Sequence, residues 1–263
     1  DKGSAATEYL IFIANREVEQ LADIAIAAFD EGKDPSKLKK EVAAVFHGKQ
    51  AIDIACFGRM LADAPDLNTD ASAQVAHAFS IDQITPEYDY FTAVDDCASD
   101  DNAGAAMIDT VGFNSSTLYR YATLNVDALR DQLQDADAMV EGVSAFVEAF
   151  VKSMPSGKQN TFANHTLPED IVIVLRDSQP ISAADAFENP IKRKDGISVS
   201  RQGIERLGDR LNEIRINYGE EPVKAWHVVS GGSVPSLDEW SEQVTLPELE
   251  QSLRETLSAA YSA

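Results

Sequence analysis

The segment that most narrows the fold runs from Gln74 to Tyr121. Two short runs, QVAHAFSI (74–81) and TLYRYATL (117–124), read as strands. In the first, Val75, His77, Phe79 and Ile81 share one face by the two-residue period. Between the runs stands an acidic excursion with an aromatic cluster at Tyr88, Tyr90 and Phe91. Strands joined through such an excursion predict a hairpin projecting from a sheet. Within it Tyr88 and Tyr90 fall on one strand face and Phe91 on the other.

The charge of this segment restricts what it can bind. Between Arg59 and Arg120 there is no Lys or Arg, while Asp and Glu recur throughout. The whole chain sets 22 basic against 44 acidic residues, a net charge of −22. Nucleic-acid binders usually carry a basic footprint. The balance therefore fits a solvated acidic surface, or a partner that supplies the positive charge. Stacking is different, because every base has an apolar face. An aromatic platform holds a base by about 1–3 kcal/mol without a cation. The alternative for Tyr88, Tyr90 and Phe91 is that they pack beneath the hairpin. Cations gather at Lys37, Lys39 and Lys40 on a short helix and at Lys192, Arg193 and Lys194 in a loop. Each group is either a solvated face or a contact with a nucleic-acid backbone.

The remaining pattern alternates helices and strands. Helices are expected at Ala5–Phe29, at Ser36–Phe46 after an Asp34-Pro35 cap, as one long helix over Val126–Lys152, at Ser182–Asn189, at Ser200–Tyr218 and from Thr245 to Tyr261. Further strands are expected at Leu118–Val126, Gln159–Ala163, Asp170–Arg176 and Ala225–Val229. The run 51–59 fits either type, 61–72 is loop-like, and Ser230-Gly231-Gly232-Ser233 is a flexible break. With 263 residues and 44% apolar content, the chain suffices for one large or two small domains. The order implies an α+β fold with an antiparallel sheet and a helical appendage. No run of 18 apolar residues suggests a membrane span, and Cys56 and Cys97 suggest no disulfide framework, which makes a reducing cytoplasm the expected setting.

No catalytic set emerges. His47, His77, His165 and His227 stand at no zinc-binding spacing. His77 reads as a core or interface histidine, or as a ligand or general base. Asp95 and Asp96 could share a metal with Asp100 and Asp101 only in a loop, since neighbouring strand residues point to opposite faces. No Walker or dinucleotide motif is present, and no metal or cofactor is expected. Two other readings stay open: a metal-dependent nuclease using Asp95, Asp96 and His77, and an acidic protein-interaction module.

Several segments, in order, carry a resemblance: DIACFGRM (53–60), QVAHAFSI (74–81), YDYFTAVDD (88–96), SSTLYRYATLNVDAL (115–129), PSGKQNTFA (155–163) and AFENP (186–190). Together they resemble the CasC family, the repeating backbone subunit of type I-E CRISPR surveillance complexes (Cascade). The resemblance implies an RRM-like (ferredoxin-like) palm at 51–263, a helical fingers region at 1–50 and a thumb hairpin at about 82–114. Family members carry a first palm strand and a basic helix ahead of the fingers. This sequence has no match to them, so the implied palm is incomplete. The implied function is non-catalytic: copies stack along the guide RNA (crRNA), and each thumb displaces a base so that target DNA pairs in short segments. By this resemblance the RNA contacts are Met60, Phe91, Thr92, Met107 and Ile108, with Arg59 and Lys158 from the same motifs. Lys37 and Lys40 fall where the family touches target DNA. The implied partners are crRNA, target DNA, further copies and other Cascade subunits, in the cytoplasm and away from membranes.

Overall fold

The computed structural model describes residues 10–93 and 107–261. Helix α1 (Asn15–Asp30) begins later than its periodicity suggests. Ala14 is extended, with ψ 151°, and the Glu17 carboxylate accepts its N–H at 2.9 Å, fixing the first turn there. Leu10 and Ile13 thus precede the helix, and residues 5–9 lie outside the described residues. Asp34 accepts the Ser36 N–H at 2.9 Å, as a cap should. The turn it opens, Pro35–Leu38, is a tight 3-10 turn, and α2 (Lys39–His47) follows it. The ambiguous run becomes α3 (Ile52–Phe57), stopped by Gly58 at φ 76°. A Cβ on Gly58 would lie 2.8 Å from the Thr69 carbonyl oxygen, so this turn requires glycine.

The expected strand 74–81 is two strands, β1 (Ala73–Val75) and β2 (Phe79–Ser80). The reason is pairing. After the hairpin strands β3 (Glu87–Ala93) and β4 (Met107–Phe113), the return is also split, into β5 (Leu118–Tyr119) and β6 (Ala122–Leu124). β2 pairs with β5 and β1 with β6, so the run is divided between two ladders. Val75 and His77 are exposed, and the single apolar face expected of this run is not formed.

The expected long helix is also two. α4 (Val126–Leu133) ends at Gln134, which is left-handed at φ 51°, and α5 (Ala136–Lys152) restarts from Asp135. The Asp135 carboxylate accepts the Ala138 N–H at 3.0 Å, a new N-cap. The strand expected at 159–163 is a single helical turn, α6 (Gln159–Phe162). Left-handed Lys158 and Ala163 bracket it and coil the chain where a strand needs extension. The sequence then follows expectation more closely. β7 (Asp170–Leu175) precedes a 3-10 turn at Ala184–Phe187, shorter than the helix expected there. α7 (Val199–Tyr218) starts at the Ser198 cap and ends at left-handed Gly219. β8 (Lys224–Val229), the one-turn α8 (Pro235–Asp238), β9 (Glu242–Gln243) and α9 (Leu246–Tyr261) complete the chain. Thr245 and Glu248 form the capping pair of α9 at 2.8 Å.

The architecture is α+β, in two units. One comprises residues 1–76, 122–168 and 244–263. Its core is helical: Leu129 and Leu133 of α4, Met139, Val143 and Val147 of α5, and Leu249, Leu253 and Leu257 of α9 are all buried. The α9 leucines recur every four residues and form one stripe. The other unit comprises residues 77–121 and 169–243. In its sheet β8 is central, antiparallel to β7 and parallel to β9. Helix α7 covers this sheet through Ile204, Leu211 and Ile214, packed with Val234 and Leu237. A second cluster, Ile81, Phe187 and Ile191, packs with Phe79, Tyr119 and Leu207 at the root of the hairpin. Among the described residues no helix is long and apolar enough to cross a membrane.

Candidate nucleic-acid interface

The hairpin is built on a short anchored root. The Ile81 N–H donates to the Thr117 carbonyl at 2.9 Å, joining the two arms. Asp82, only 5% exposed, then clamps them: its carboxylate accepts the Thr117 N–H at 3.0 Å and lies 3.1 Å from Ser80 Oγ. Beneath it Phe79, Tyr119 and Phe187 form an aromatic cluster with ring centroids 5.2–6.3 Å apart. Burial pushes the Tyr119 phenol up to about 12, so it stays neutral. α7 approaches this root closely at Gly203, where a Cβ would fall 2.6 Å from Ile81 Cδ1. Sequence analysis passes over Asp82; an aspartate closing an apolar run just before an excursion is the signal that marks it.

Register decides which hairpin residues meet. β3 and β4 pair from Glu87–Phe113 to Ala93–Met107. Directly opposed residues share a face. Phe91, Ala93, Met107 and Val111 therefore lie on one face, together with Glu87, Asp89 and Asp109. Tyr88, Tyr90, Thr92, Ile108 and Thr110 lie on the other. All the acids of the two strands segregate onto the Phe91 face. The Tyr face carries none, and Tyr88 (74% exposed), Tyr90 (62%) and Ile108 (59%) stand open on it. The tyrosines do not pack beneath the hairpin. The Tyr88 ring lies beside Gly112, where an added Cβ would meet it at 3.7 Å, an ordinary contact. The structure thus brings Phe91 together with Met107, and Thr92 with Ile108, on opposite faces. The tip, with Asp95, Asp96, Cys97, Asp100 and Asp101, lies outside the described residues.

The remaining candidates divide between the two units. Met60, in the helical unit, is 79% exposed just beyond the Gly58 turn. Arg59 beside it is turned inward. Its side chain is 1% exposed, and its guanidinium pairs with Glu17 at 2.7 Å and covers the Phe46 ring at 4.8 Å. In this structure Arg59 is committed to an internal carboxylate and is not presented to a phosphate. Lys37 and Lys40 are both exposed, Lys37 in the 3-10 turn and Lys40 in α2. Three residues apart, they are surface neighbours. Their neighbour Lys39 edges a shallow groove with Pro35, Val42 and Leu67. Lys158 is exposed at the left-handed position before α6. His77 is exposed in the break between β1 and β2. Among the described residues no group of three or more His, Cys, Asp or Glu could hold a metal ion.

No curated protein matches the chain. Solved structures do. A chain of a "CRISPR RNA-guided surveillance complex, pre-nicking" matches with TM-score 0.84 and 28% identity, over 99% of this chain and 71% of that one. A chain of a "CRISPR RNA-guided surveillance complex" matches with TM-score 0.70 and 31% identity, over 80% of this chain and 78% of that one. The profile of the family Cas_CT1975 (CT1975-like protein) matches residues 1–253, and the chain belongs to this Cas family.

Proposed function

We propose that the protein is a non-catalytic backbone subunit of a Cascade-type CRISPR surveillance complex, of the type I-E CasC kind, that binds crRNA. One observation carries this reading: a chain that aligns over 99% of its length with a surveillance-complex subunit projects a hairpin with exposed, uncharged aromatics. In this reading the hairpin is the thumb at about 82–114, residues 1–50 belong to the fingers, and most of 51–263 forms an RRM-like palm. Copies line up along the guide strand in the cytoplasm beside other Cascade subunits. Each hairpin inserts between nucleotides and turns one base out, leaving short stretches free to pair with target DNA. The work is stacking and positioning, each stacked base being worth about 1–3 kcal/mol. Met60, Phe91, Thr92, Met107, Ile108 and Lys158 are the proposed RNA contacts, joined by Tyr88 and Tyr90 from the open face. Lys37 and Lys40 are the proposed target-DNA contacts.

The subunit makes and breaks no covalent bond in this proposal; cutting belongs to a separate nuclease. Assembly with partner subunits and crRNA tests it. Ribonuclease treatment before assembly should abolish multi-copy particles, and incubation with single-stranded RNA and Mg²⁺ or Mn²⁺ should leave the RNA intact. Particles that form equally well without RNA, or EDTA-sensitive cleavage that tracks with the purified chain, would overturn it.

A further inference from the structure

We infer that His227 is an acid-sensitive latch: as a neutral imidazole bonded to Asp238 and Ser241 it pins residues 230–243 to the central strand β8, and on taking up a second proton it lets them loosen. This goes beyond the RNA-binding reading and does not rest on it. Residues 230–243 form a strap. It leaves the end of β8, turns through Gly231 and Gly232 at φ 94° and 101°, makes the single turn α8 and returns beside β8 as β9. Its Val234 and Leu237, both fully buried, pack with Ile204 and Leu211 of α7. Gly208 of α7 permits the approach, since a Cβ there would fall 2.7 Å from Ser236 Oγ. His227, 0% exposed, reaches Ser241 Oγ from Nδ1 at 2.8 Å and Asp238 Oδ1 from Nε2 at 3.1 Å. The other Asp238 oxygen accepts from Ser233. The imidazole thus gathers the strap from Ser233 to Ser241.

Hydrogen-bond chemistry assigns the ring's form. An ionised carboxylate only accepts, so the bond to Asp238 requires a hydrogen on Nε2. In the neutral ring Nδ1 is then an acceptor, and the Ser241 hydroxyl fills it. In the imidazolium Nδ1 donates as well, and the Ser241 hydroxyl turns to the Leu237 carbonyl, 2.8 Å away. Both forms are bonded, so burial decides between them. The ring lies opposite Val172 of β7, out of water, while the Asp238 side chain is 33% exposed, where solvent weakens its attraction. Burial holds the His227 imidazole below its ordinary value near 6.5, with Asp238 pulling the other way.

The other charges packed around the strap are engaged elsewhere. On β7, Asp170 accepts the Ser230 N–H at 3.3 Å. On β9, Gln243 stands opposite His227, and Glu242 lies 4.0 Å from Lys224. Beyond α8, Glu239 accepts from Asn212 of α7. Arg201 of α7 pairs with Glu205 and donates to the Gly232 and Ser233 carbonyls. Of these groups and Asp238, Asp238 is the one that acts on the imidazole. Asp170, raised to about 6, works in the opposite sense and favours the fold as pH falls. Once the strap opens, His227 meets water and regains its ordinary affinity for a proton. The latch therefore holds fully above about pH 6.5 and weakens as pH falls below it. One proton is taken up, so the opening constant rises by up to about tenfold per pH unit. The strap ends at Gln243, where the chain leaves this unit for α9, so the latch sets how firmly that exit is anchored.

The test is amide hydrogen exchange of the whole chain, read by NMR as protection factors at a series of pH values, with the His227 ring nitrogens followed in the same samples. The Leu237, Asp238 and Ser241 amides, all bonded within the strap, report its opening. In the wild type they should lose protection as pH falls below about 6.5, by up to about tenfold per unit, while the β7–β8 ladder holds. His227→Gln keeps a donor for Asp238 but takes up no proton, so its profile should be flat. Asp170→Asn should keep the wild-type fall. The wild-type ring should be neutral at pH values above its titration, with its hydrogen on Nε2, and should titrate below 6.5. The latch is overturned by a flat wild-type profile, by a fall shared equally with the β7–β8 ladder, or by a fall that persists in His227→Gln or vanishes in Asp170→Asn. A neutral ring with its hydrogen on Nδ1 overturns it as well. Should His227→Gln not fold, the wild type decides alone: a strap profile that follows the ring titration supports the latch, and one that departs from it overturns the latch.

Discussion

Arg59 shows how far a residue's setting can depart from its local sequence. In the GRM motif it reads as a surface cation, yet it is buried against Glu17 with its Nε lacking a hydrogen-bond partner. Removing one member of such a pair strands the other charge in the interior, typically at a cost of about 3–5 kcal/mol. Glu17→Gln should therefore lower the unfolding free energy by about that much in urea melts, and Glu17→Leu/Arg59→Met should recover most of it. Arg59→Met at a temperature where it stays folded should leave the RNA salt slope unchanged. Asp170 supplies a pH test. Burial raises its carboxyl from an ordinary value near 3.8 to about 6. A carboxyl raised on folding holds its proton in the folded state while the unfolded chain releases it. Its stabilising contribution is complete below about pH 3.8 and is lost as pH rises through about 6. Asp170→Asn should thus stabilise the protein at pH 7, with the gain fading towards pH 4. A gain of equal size at both pH values would refute the burial assignment, as would an NMR titration midpoint near 4.

At the scale of elements, the hairpin divides its labour by face. Tyr88→Ala and Tyr90→Ala should leave the melting temperature nearly unchanged, because both rings are exposed, while weakening RNA binding by about 1–3 kcal/mol each. Leu253→Ala in α9 should do the reverse: 3% exposed in the helical core, it should cost about 2–5 kcal/mol of stability and leave the salt slope alone. The hairpin and α7 were legible: alternating strands flank an acidic insert in one, and in the other a helix expected from Ser200 to Tyr218 starts at Val199, after the Ser198 cap, and stops at Gly219. The elements missed were those decided by single backbone states. Nothing in the apolar stripe over 126–152 announces that Gln134 turns left-handed, although Asp135 followed by an alanine-rich turn is a usable cap signal. Likewise QVAHAFSI has a strand's periodicity, but its two halves pair with different strands, which only tertiary contacts decide. At the interface, the two-face split of the tyrosines and Phe91 was legible from alternation. That Phe91 shares its face with Met107 was not, because this depends on cross-strand register.

For the whole molecule, charge and function are reconciled by separating two kinds of contact. The net charge of −22 opposes a polyanion at long range, so the isolated chain should bind single-stranded RNA only in the range of about 1–100 μM near physiological salt. Affinity in an assembly would then come from many copies acting along one strand, each adding a stacked base and a few phosphate contacts. The chain belongs to the Cas_CT1975 family and aligns over nearly its whole length with a chain of a CRISPR surveillance complex; what its hairpin does is the central claim. Chemical probing of crRNA base reactivity in assembled particles tests that claim most directly, with wild-type subunits set against Tyr88→Ala/Tyr90→Ala and Phe91→Ala. The account predicts bases reactive at a regular interval in the wild type, and a pattern blurred or lost in the variants. A periodic pattern that persists unchanged in both variants would contradict it.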